Sequence, residues 1–128
     1  MNKFLNLYFL AAIISVNAQV TYIQGGGTLD DWAHLKKYEK DNMEIKGIDD
    51  PNRVVFMGNS ITEGWLYFNK SFFIENPFIN RGIGGQTTPQ MLIRFKPDVV
   101  NLNPKAVVIL AGINDIAENT GPVTIENI

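Results

Sequence analysis

Residues 53–65, RVVFMGNSITEGW, predict a buried strand that turns sharply into a helix. Four successive apolar residues, 54–57, are typical of a strand buried on both faces, and Gly58 lets the chain turn after them. Ser60 would then lie at the carboxyl edge of the sheet, where open α/β folds bind their ligands. This stretch alone fits two interpretations of Ser60, which are a catalytic nucleophile and a helix N-cap.

Two further motifs follow strand-like runs. NRGIGGQTT at residues 80–88 carries three glycines in four residues, which leave backbone N–H groups free to face a ligand. AGIND at residues 111–115 comes directly after AVVIL at 106–110, so Asn114 would lie at the carboxyl end of a strand. On one sheet edge, Ser60, a glycine N–H and the Asn114 amide would supply an attacking oxygen and two donors for a developing oxyanion. The Ser60 N–H would be a third donor.

These motifs resemble, in order, the first three sequence blocks of the SGNH hydrolases, also called GDSL-type esterases and lipases. GNSI at 58–61 is similar to the Gly-Asp-Ser-Leu block, with Asn59 in place of the aspartate and Ile61 in place of the leucine. GIGGQTT at 82–88 is similar to block two of the branch that includes platelet-activating-factor acetylhydrolase subunits and bacterial acylhydrolases. GIND at 112–115 resembles the Gly-x-Asn-Asp of block three.

The resemblance covers residues 53–128 and implies both a fold and a chemistry. The fold would be a flavodoxin-like three-layer α/β/α arrangement with a parallel sheet. Ser60 would be the nucleophile of a carboxylic ester hydrolase, and the Gly85 N–H and the Asn114 side chain would form its oxyanion hole. The resemblance implies no cofactor and no metal, and the substrate would be a small-molecule or carbohydrate ester.

The fourth block of the family, Asp-x-x-His, is missing from this sequence. The sequence stops at Ile128, just after block three, and its one histidine is His34. Because His34 falls in a stretch with helical spacing at residues 29–40, we interpret it as an ordinary surface or packing histidine. We therefore expect the catalytic histidine and aspartate to be absent from this chain, which we interpret as the N-terminal portion of an enzyme and expect to be inactive by itself.

The number of strands agrees with this interpretation. A flavodoxin-like domain has about five strands, and only three runs in this sequence predict one, so the C-terminal part of the sheet is expected to be missing. A helix should follow block two, with Thr88 as its N-cap and Pro89 at its first position. We predict an incomplete hydrolase domain at 53–128, preceded at 19–52 by a helical extension with a flexible link at 24–28.

The N-terminus is typical of a secretory signal peptide at residues 1–18. Lys3 precedes an apolar run over 4–16 that is too short to span a bilayer comfortably, and Val16-Asn17-Ala18 is a small-residue cleavage pattern. A retained membrane anchor is the competing interpretation. We expect a secreted or periplasmic protein that begins at Gln19. Mass spectrometry that finds residues 1–18 intact on the mature protein would contradict this prediction.

Composition limits the partners of the chain. The 128 residues carry 11 Lys+Arg and 13 Asp+Glu, a formal charge of −2, and removal of Lys3 with the signal peptide would make it −3. That balance gives nucleic acid no electrostatic attraction. Because the sequence has no cysteine, it offers neither the lipid attachment site of a lipoprotein nor a disulfide framework. We expect no stable membrane anchor after signal cleavage.

Two other functions fit parts of the sequence. Gly82-x-Gly84, between a strand and a helix, is half of a dinucleotide-binding fingerprint, but Thr87 stands at the third glycine position. Asp98, the nearest acid for a ribose, is also early for the usual spacing. The second alternative is a non-catalytic secreted α/β fragment or a carbohydrate-binding relative without the Asp-His pair. Covalent labelling of Ser60 by a fluorophosphonate would separate an enzyme from such a binder.

Overall fold

The structure, a computed structural model, describes residues 25–128, and the predicted signal peptide lies outside these described residues. The strands are β1 (Val54–Gly58), β2 (Phe78–Gly82) and β3 (Ala106–Leu110). The helices are α1 (Glu39–Ile45), α2 (Ser60–Phe68), α3 (Lys70–Ile74), α4 (Thr88–Asp98) and the one-turn α5 (Ile113–Ile116). Single 3₁₀ turns occur at Leu35–Tyr38, Val100–Leu102 and Ile125–Asn127. Within 25–128, no helix is both long enough and apolar enough to cross a bilayer.

The three strands form one parallel sheet in the order β2-β1-β3. Gly58 at the end of β1 pairs with Gly82 of β2 and with Leu110 of β3, so all three strands end at the same edge. The predicted α/β class with a parallel sheet is therefore confirmed. The segments that follow these strands are the three motifs, so the motifs share one carboxyl edge.

β1 is buried on both faces, as its sequence predicts. On one face, Val55 and Met57 pack with Met91 of α4 and with two residues that follow this helix, Val99 and Leu102. On the other face, the Phe56 ring lies 5.4 to 5.6 Å, between centroids, from the rings of Trp65, Phe72, Phe73 and Phe78. Helices thus cover both faces of the sheet at β1, which gives the three layers.

β3 differs from β1, although its sequence is just as apolar. In the described part of the chain it pairs with β1 along one side only, and all five of its residues are exposed. Ile109 keeps 57% of its surface accessible, whereas its partner Met57 in β1 keeps 1%. Residues 25–128 therefore present an apolar, unpaired sheet edge.

The N-terminal segment differs from its prediction in two ways. The helix expected over 29–40 begins only at Leu35, because the buried Asp31 carboxylate accepts the N–H groups of Leu35 and Lys36 at 2.7 and 3.0 Å. The flexible link expected at 24–28 is packed where the structure describes it. A β-carbon at Gly25 would lie 2.7 Å from the Gln90 side chain.

The start of α4 is shifted by one residue. Thr87, and not Thr88, is the N-cap, so Pro89 occupies the second helical position. Gln90 stabilises this end, because its Oε1 accepts the Thr87 N–H at 3.1 Å. The sequence offers two adjacent threonines as caps, and the contact with Gln90 identifies Thr87 as the one that caps the helix.

Candidate active site

Ser60 is the first residue of α2, immediately after the turn that ends β1. The N-cap is Asn59, whose Oδ1 accepts the Ile61 N–H at 3.0 Å, so the N-cap interpretation of Ser60 is wrong. The Ser60 residue is exposed, and its hydroxyl has no hydrogen-bond partner within 25–128. This hydroxyl is therefore open to a ligand at the sheet edge.

The second motif lies against the start of α2. A β-carbon at Gly82 would lie 2.1 Å from the helix backbone, so only glycine lets β2 end this close to α2. Ile83 donates its N–H to the Gly58 carbonyl at 3.0 Å and so ties the loop after β2 to the loop after β1. A β-carbon at Gly84 would lie 3.7 Å from the Ser60 β-carbon. The structure thus brings the first two predicted motifs together.

A tight turn at residues 83–86 sets the path of this loop. Gln86 donates its N–H to the Ile83 carbonyl at 3.4 Å. Gly85 is the third residue of the turn and has φ +76°, close to the value that a type II turn requires there. Other residues rarely adopt this angle, so position 85 requires glycine for its backbone conformation.

The peptide groups of residues 83–87, which we name the glycine loop, are held from both sides. Gly84 donates its N–H to Glu63 Oε2 at 2.6 Å. The Gly85 carbonyl accepts a hydrogen bond from Asn119 Nδ2 at 3.0 Å. The Gly85 N–H, between these two fixed groups, finds no acceptor in the described part of the chain. The loop, which passes Ser60 at Gly84, therefore presents one backbone donor that is unused within the described residues.

Asn114 lies in α5, just beyond the carboxyl end of β3, as its position in the sequence predicts. Its Nδ2 donates to the Gln86 carbonyl at 2.8 Å, which fastens the third motif to the glycine loop. An amide nitrogen carries two hydrogens. The second N–H of the half-buried Asn114 side chain has no acceptor among residues 25–128 and is available to a ligand.

Asp115 is a site residue whose role the sequence did not reveal. Its carboxylate is 2% exposed and accepts the Thr88 N–H at 2.9 and 3.0 Å and the Thr88 hydroxyl at 2.6 Å. A carboxylate in this place stabilises the N-terminus of α4. The motif itself signals an aspartate beside Asn114, but its partner lies 27 residues away and only the fold identifies it.

Arg94 is a second such residue, and it is 0% exposed. Its guanidinium donates to the Gly58 carbonyl at 3.1 Å, to the Arg81 carbonyl at 2.9 Å and to Gln86 Oε1. It also pairs with Asp98 Oδ2 at 3.1 Å. Burial lowers the pKa of Arg94, and the hydrogen bond and charge of Asp98 oppose that shift. Arg94 joins the turn before Ser60 to the glycine loop from inside the protein.

Asp98 is therefore unsuited to the dinucleotide hypothesis. Its side chain is 1% exposed, and the carboxylate is engaged by Arg94 and by Asn42 Nδ2, the latter at 2.6 Å. An acid that binds the hydroxyls of a ribose has to face the ligand. The nearest candidate acid that the sequence offered for that role faces the core instead.

His34 precedes the 3₁₀ turn in a left-handed conformation, with φ 56°, and does not lie on a helix as predicted. Its Nδ1 is buried without a hydrogen-bond partner among the described residues, and a β-carbon at Gly26 would lie 2.6 Å from it. Burial is the main cause that lowers the pKa of His34. No hydrogen bond within 25–128 links His34 to Ser60. In the same residues, no group of three His, Cys, Asp or Glu could hold a metal ion.

Comparison with known proteins agrees with the three motifs. The model of the GDSL-like Lipase/Acylhydrolase family matches residues 56–128. A crystal structure assigned as an acylhydrolase, from Bacteroides fragilis, is 56% identical with a TM-score of 0.70, over 73% of this chain and 46% of that chain. The structure of a GDSL-like lipase from Bacteroides thetaiotaomicron is 50% identical with a TM-score of 0.68, over 72% of this chain and 45% of that chain.

A curated sequence adds a third relative. An uncharacterised lipoprotein of Bacillus subtilis is 49% identical over an alignment of 88 residues that covers 58% of this chain and 35% of that protein. The chain thus spans less than half of the length of each of these three relatives.

Proposed function

Because the chain belongs to the GDSL-like Lipase/Acylhydrolase family, we propose that it carries the nucleophile and oxyanion hole of an exported serine esterase. The observation that supports this most directly is the Gly85 N–H, which is unused within 25–128 and belongs to a loop that passes beside the exposed Ser60. A donor held in this way needs no reorganisation when negative charge develops next to it.

The proposed reaction is a two-step acyl transfer. The Ser60 oxygen attacks the ester carbonyl while a base takes the hydroxyl proton, and the carbonyl oxygen becomes an oxyanion. The N–H groups of Ser60 and Gly85 and the side chain of Asn114 bind that oxyanion. The alcohol leaves with a proton, and water then hydrolyses the acyl-enzyme. We propose that the base and its orienting carboxylate come from sequence outside these residues, since the matched part of this chain covers less than half of each relative.

The proposed substrates are acyl or acetyl esters of small molecules, with carbohydrate acetyl esters among them. Export is supported by the signal-like N-terminus and by the Bacillus relative, which is named a lipoprotein. Since these 128 residues contain no cysteine, the proposal for this chain is export without a lipid anchor. The alternative is a non-catalytic binding protein, and the exposed Ser60 beside an unused donor favours the enzyme.

Fluorophosphonate labelling tests the proposal. We expect the full-length gene product to be labelled at Ser60, as shown by peptide mass spectrometry, because only an activated serine reacts with this probe. Ser71→Ala is the matched control, since Ser71 lies in α3, outside the motifs, and its hydroxyl donates to the side chain of the N-cap residue Asn69. A folded protein that stays unlabelled at Ser60 would favour the binding protein.

Asn114→Ala is expected to lower kcat by about 10²–10³, the usual loss when one oxyanion donor is removed. Folding should change little, because Asn114 is half-buried and makes one bond to the glycine loop. Steady-state kinetics with a short-chain ester and a thermal melt measure both effects. Asn76→Ala is the control, since this amide also donates to a backbone carbonyl, but in an exposed position. Near wild-type turnover of Asn114→Ala would show that Asn114 holds the glycine loop in place and does not bind the oxyanion.

A further inference from the structure

Glu63 contacts the glycine loop at the residue before the proposed oxyanion donor. It lies in the first turn of α2, three residues after Ser60. Its Oε2 accepts the Gly84 N–H at 2.6 Å, a short hydrogen bond to a charged acceptor. A β-carbon at Gly84 would lie 3.0 Å from this oxygen and 3.7 Å from the Ser60 β-carbon. The carboxylate, the nucleophile and the loop thus meet at one glycine.

We propose that Glu63 is a positioning residue that orients the Gly84–Gly85 peptide, and so aims the Gly85 N–H at the oxyanion. This inference rests on the proposed ester hydrolysis. Two adjacent glycines have the widest choice of backbone conformations, so the peptide between them needs an external hold. Glu63 holds the peptide before it and Asn119 the carbonyl after it. The Gly85 N–H then points in one direction before a substrate arrives.

Lys37 fixes the second oxygen of Glu63 by an ion pair with Oε1. The two side chains are only 25% and 28% exposed, so solvent screens this pair less than a surface pair. Lys37 belongs to the N-terminal extension and lies outside the family match at 56–128. The extension therefore contributes to the geometry of the glycine loop through Lys37 and Glu63.

Three Glu63 variants separate the acceptor from the charge. Glu63→Ala removes the acceptor of the Gly84 N–H, so the Gly85 N–H should no longer be held in the direction of the oxyanion. We expect kcat to fall about 10- to 100-fold and KM to stay within about twofold, because small displacements at a reacting centre lower the rate. Glu63→Asp keeps the charge but is shorter, so the same loss of kcat is expected. Glu63→Gln is made in a Lys37→Met background, because the single amide oxygen of glutamine cannot serve both the Gly84 N–H and the Lys37 ammonium. In that background the oxygen is left to the Gly84 N–H, so kcat should stay within about threefold of wild type.

The control is Glu44→Ala, which removes the carboxylate of an exposed ion pair with Lys40 on α1. It should leave kcat unchanged. Glycine-specific ¹⁵N labelling supplies a readout without substrate. The Gly84 amide should lose its protection from hydrogen exchange in Glu63→Ala and keep it in Glu63→Gln. A merely structural role would instead lower the melting temperature of both variants and leave kcat per folded molecule unchanged.

Several results would overturn the inference. Glu63→Ala with wild-type kcat would do so, and so would equal losses in Glu63→Ala and Glu63→Gln, because the charge and not the acceptor would then matter. If Glu63→Ala does not fold, the contrast between Glu63→Asp and Glu63→Gln decides by the same rule. A wild-type protein without Ser60-dependent turnover would refute the proposed function and this inference with it. If turnover depends on Ser60 but does not change in the Glu63 variants, the proposed function stands and only the role of Glu63 is refuted.

Discussion

Ser60→Ala in the full-length gene product is expected to lower kcat for a short-chain ester by about 10⁶, as loss of a serine nucleophile does in other serine hydrolases. The variant should fold normally, because Ser60 is exposed and its hydroxyl makes no hydrogen bond within 25–128. The oxyanion donors remain, so a small rate above that of water should persist. No acyl-enzyme can form, so the burst of product in the first turnover should disappear.

Stopped-flow and steady-state assays of wild type and Ser60→Ala measure this difference. Ser71→Ala controls for the loss of a helix hydroxyl that donates to a neighbouring side chain, and it should keep full turnover. Turnover in Ser60→Ala within tenfold of wild type would show that another group is the nucleophile. It would also remove the reason for assigning the donors Gly85 and Asn114 to an oxyanion.

Arg94→Met is expected to cost about 3–5 kcal/mol of unfolding free energy, because it leaves the buried Asp98 carboxylate without its cationic partner. Three further acceptors lose the hydrogen bond from Arg94, namely the Gly58 carbonyl, which keeps the Ile83 N–H, the Arg81 carbonyl and the Gln86 side chain. Since proteins of this size are stable by about 5–15 kcal/mol, the variant should lie close to its unfolding threshold.

Urea unfolding, followed by tryptophan fluorescence, measures the change. Lys96→Met removes an exposed cation from the same helix and should change stability by less than about 0.5 kcal/mol. The double variant Arg94→Met with Asp98→Asn removes both charges and should be more stable than Arg94→Met alone. If the double variant is as unstable as the single one, the lost backbone contacts and not the charge of Asp98 explain the cost.

The sequence predicts that three residues lie at the same edge of the sheet, because Ser60, Gly85 and Asn114 each follow a strand by a few residues. The apolar run 54–57 and the run 106–110 signal strands directly. Parallel strands end at one sheet edge, so the positions after them must meet. The burial of β1 on both faces follows from the same local information, whereas the order of the strands comes from the structure alone.

The contacts that hold these positions could not be predicted in the same way. Glu63 reaches Gly84 across 21 residues of sequence, and Asp115 reaches Thr88 across 27. An acidic side chain in the first turn of a helix or in a motif has many possible partners until the fold selects one. Arg94 offers the clearest case, since arginine is mostly found exposed in proteins, whereas this side chain is fully buried.

The packed N-terminal segment has a practical consequence for how this protein should be handled. Gly25 lies so close to the glycine loop that a β-carbon on Gly85 would come within 2.9 Å of its backbone nitrogen. The Gln86 side chain also donates to the Ala33 carbonyl at 2.7 Å. An affinity tag or fusion partner joined just before Gly25 would therefore disturb the turn at residues 83–86, which has to stay rigid. Purification handles belong at a site remote from this end.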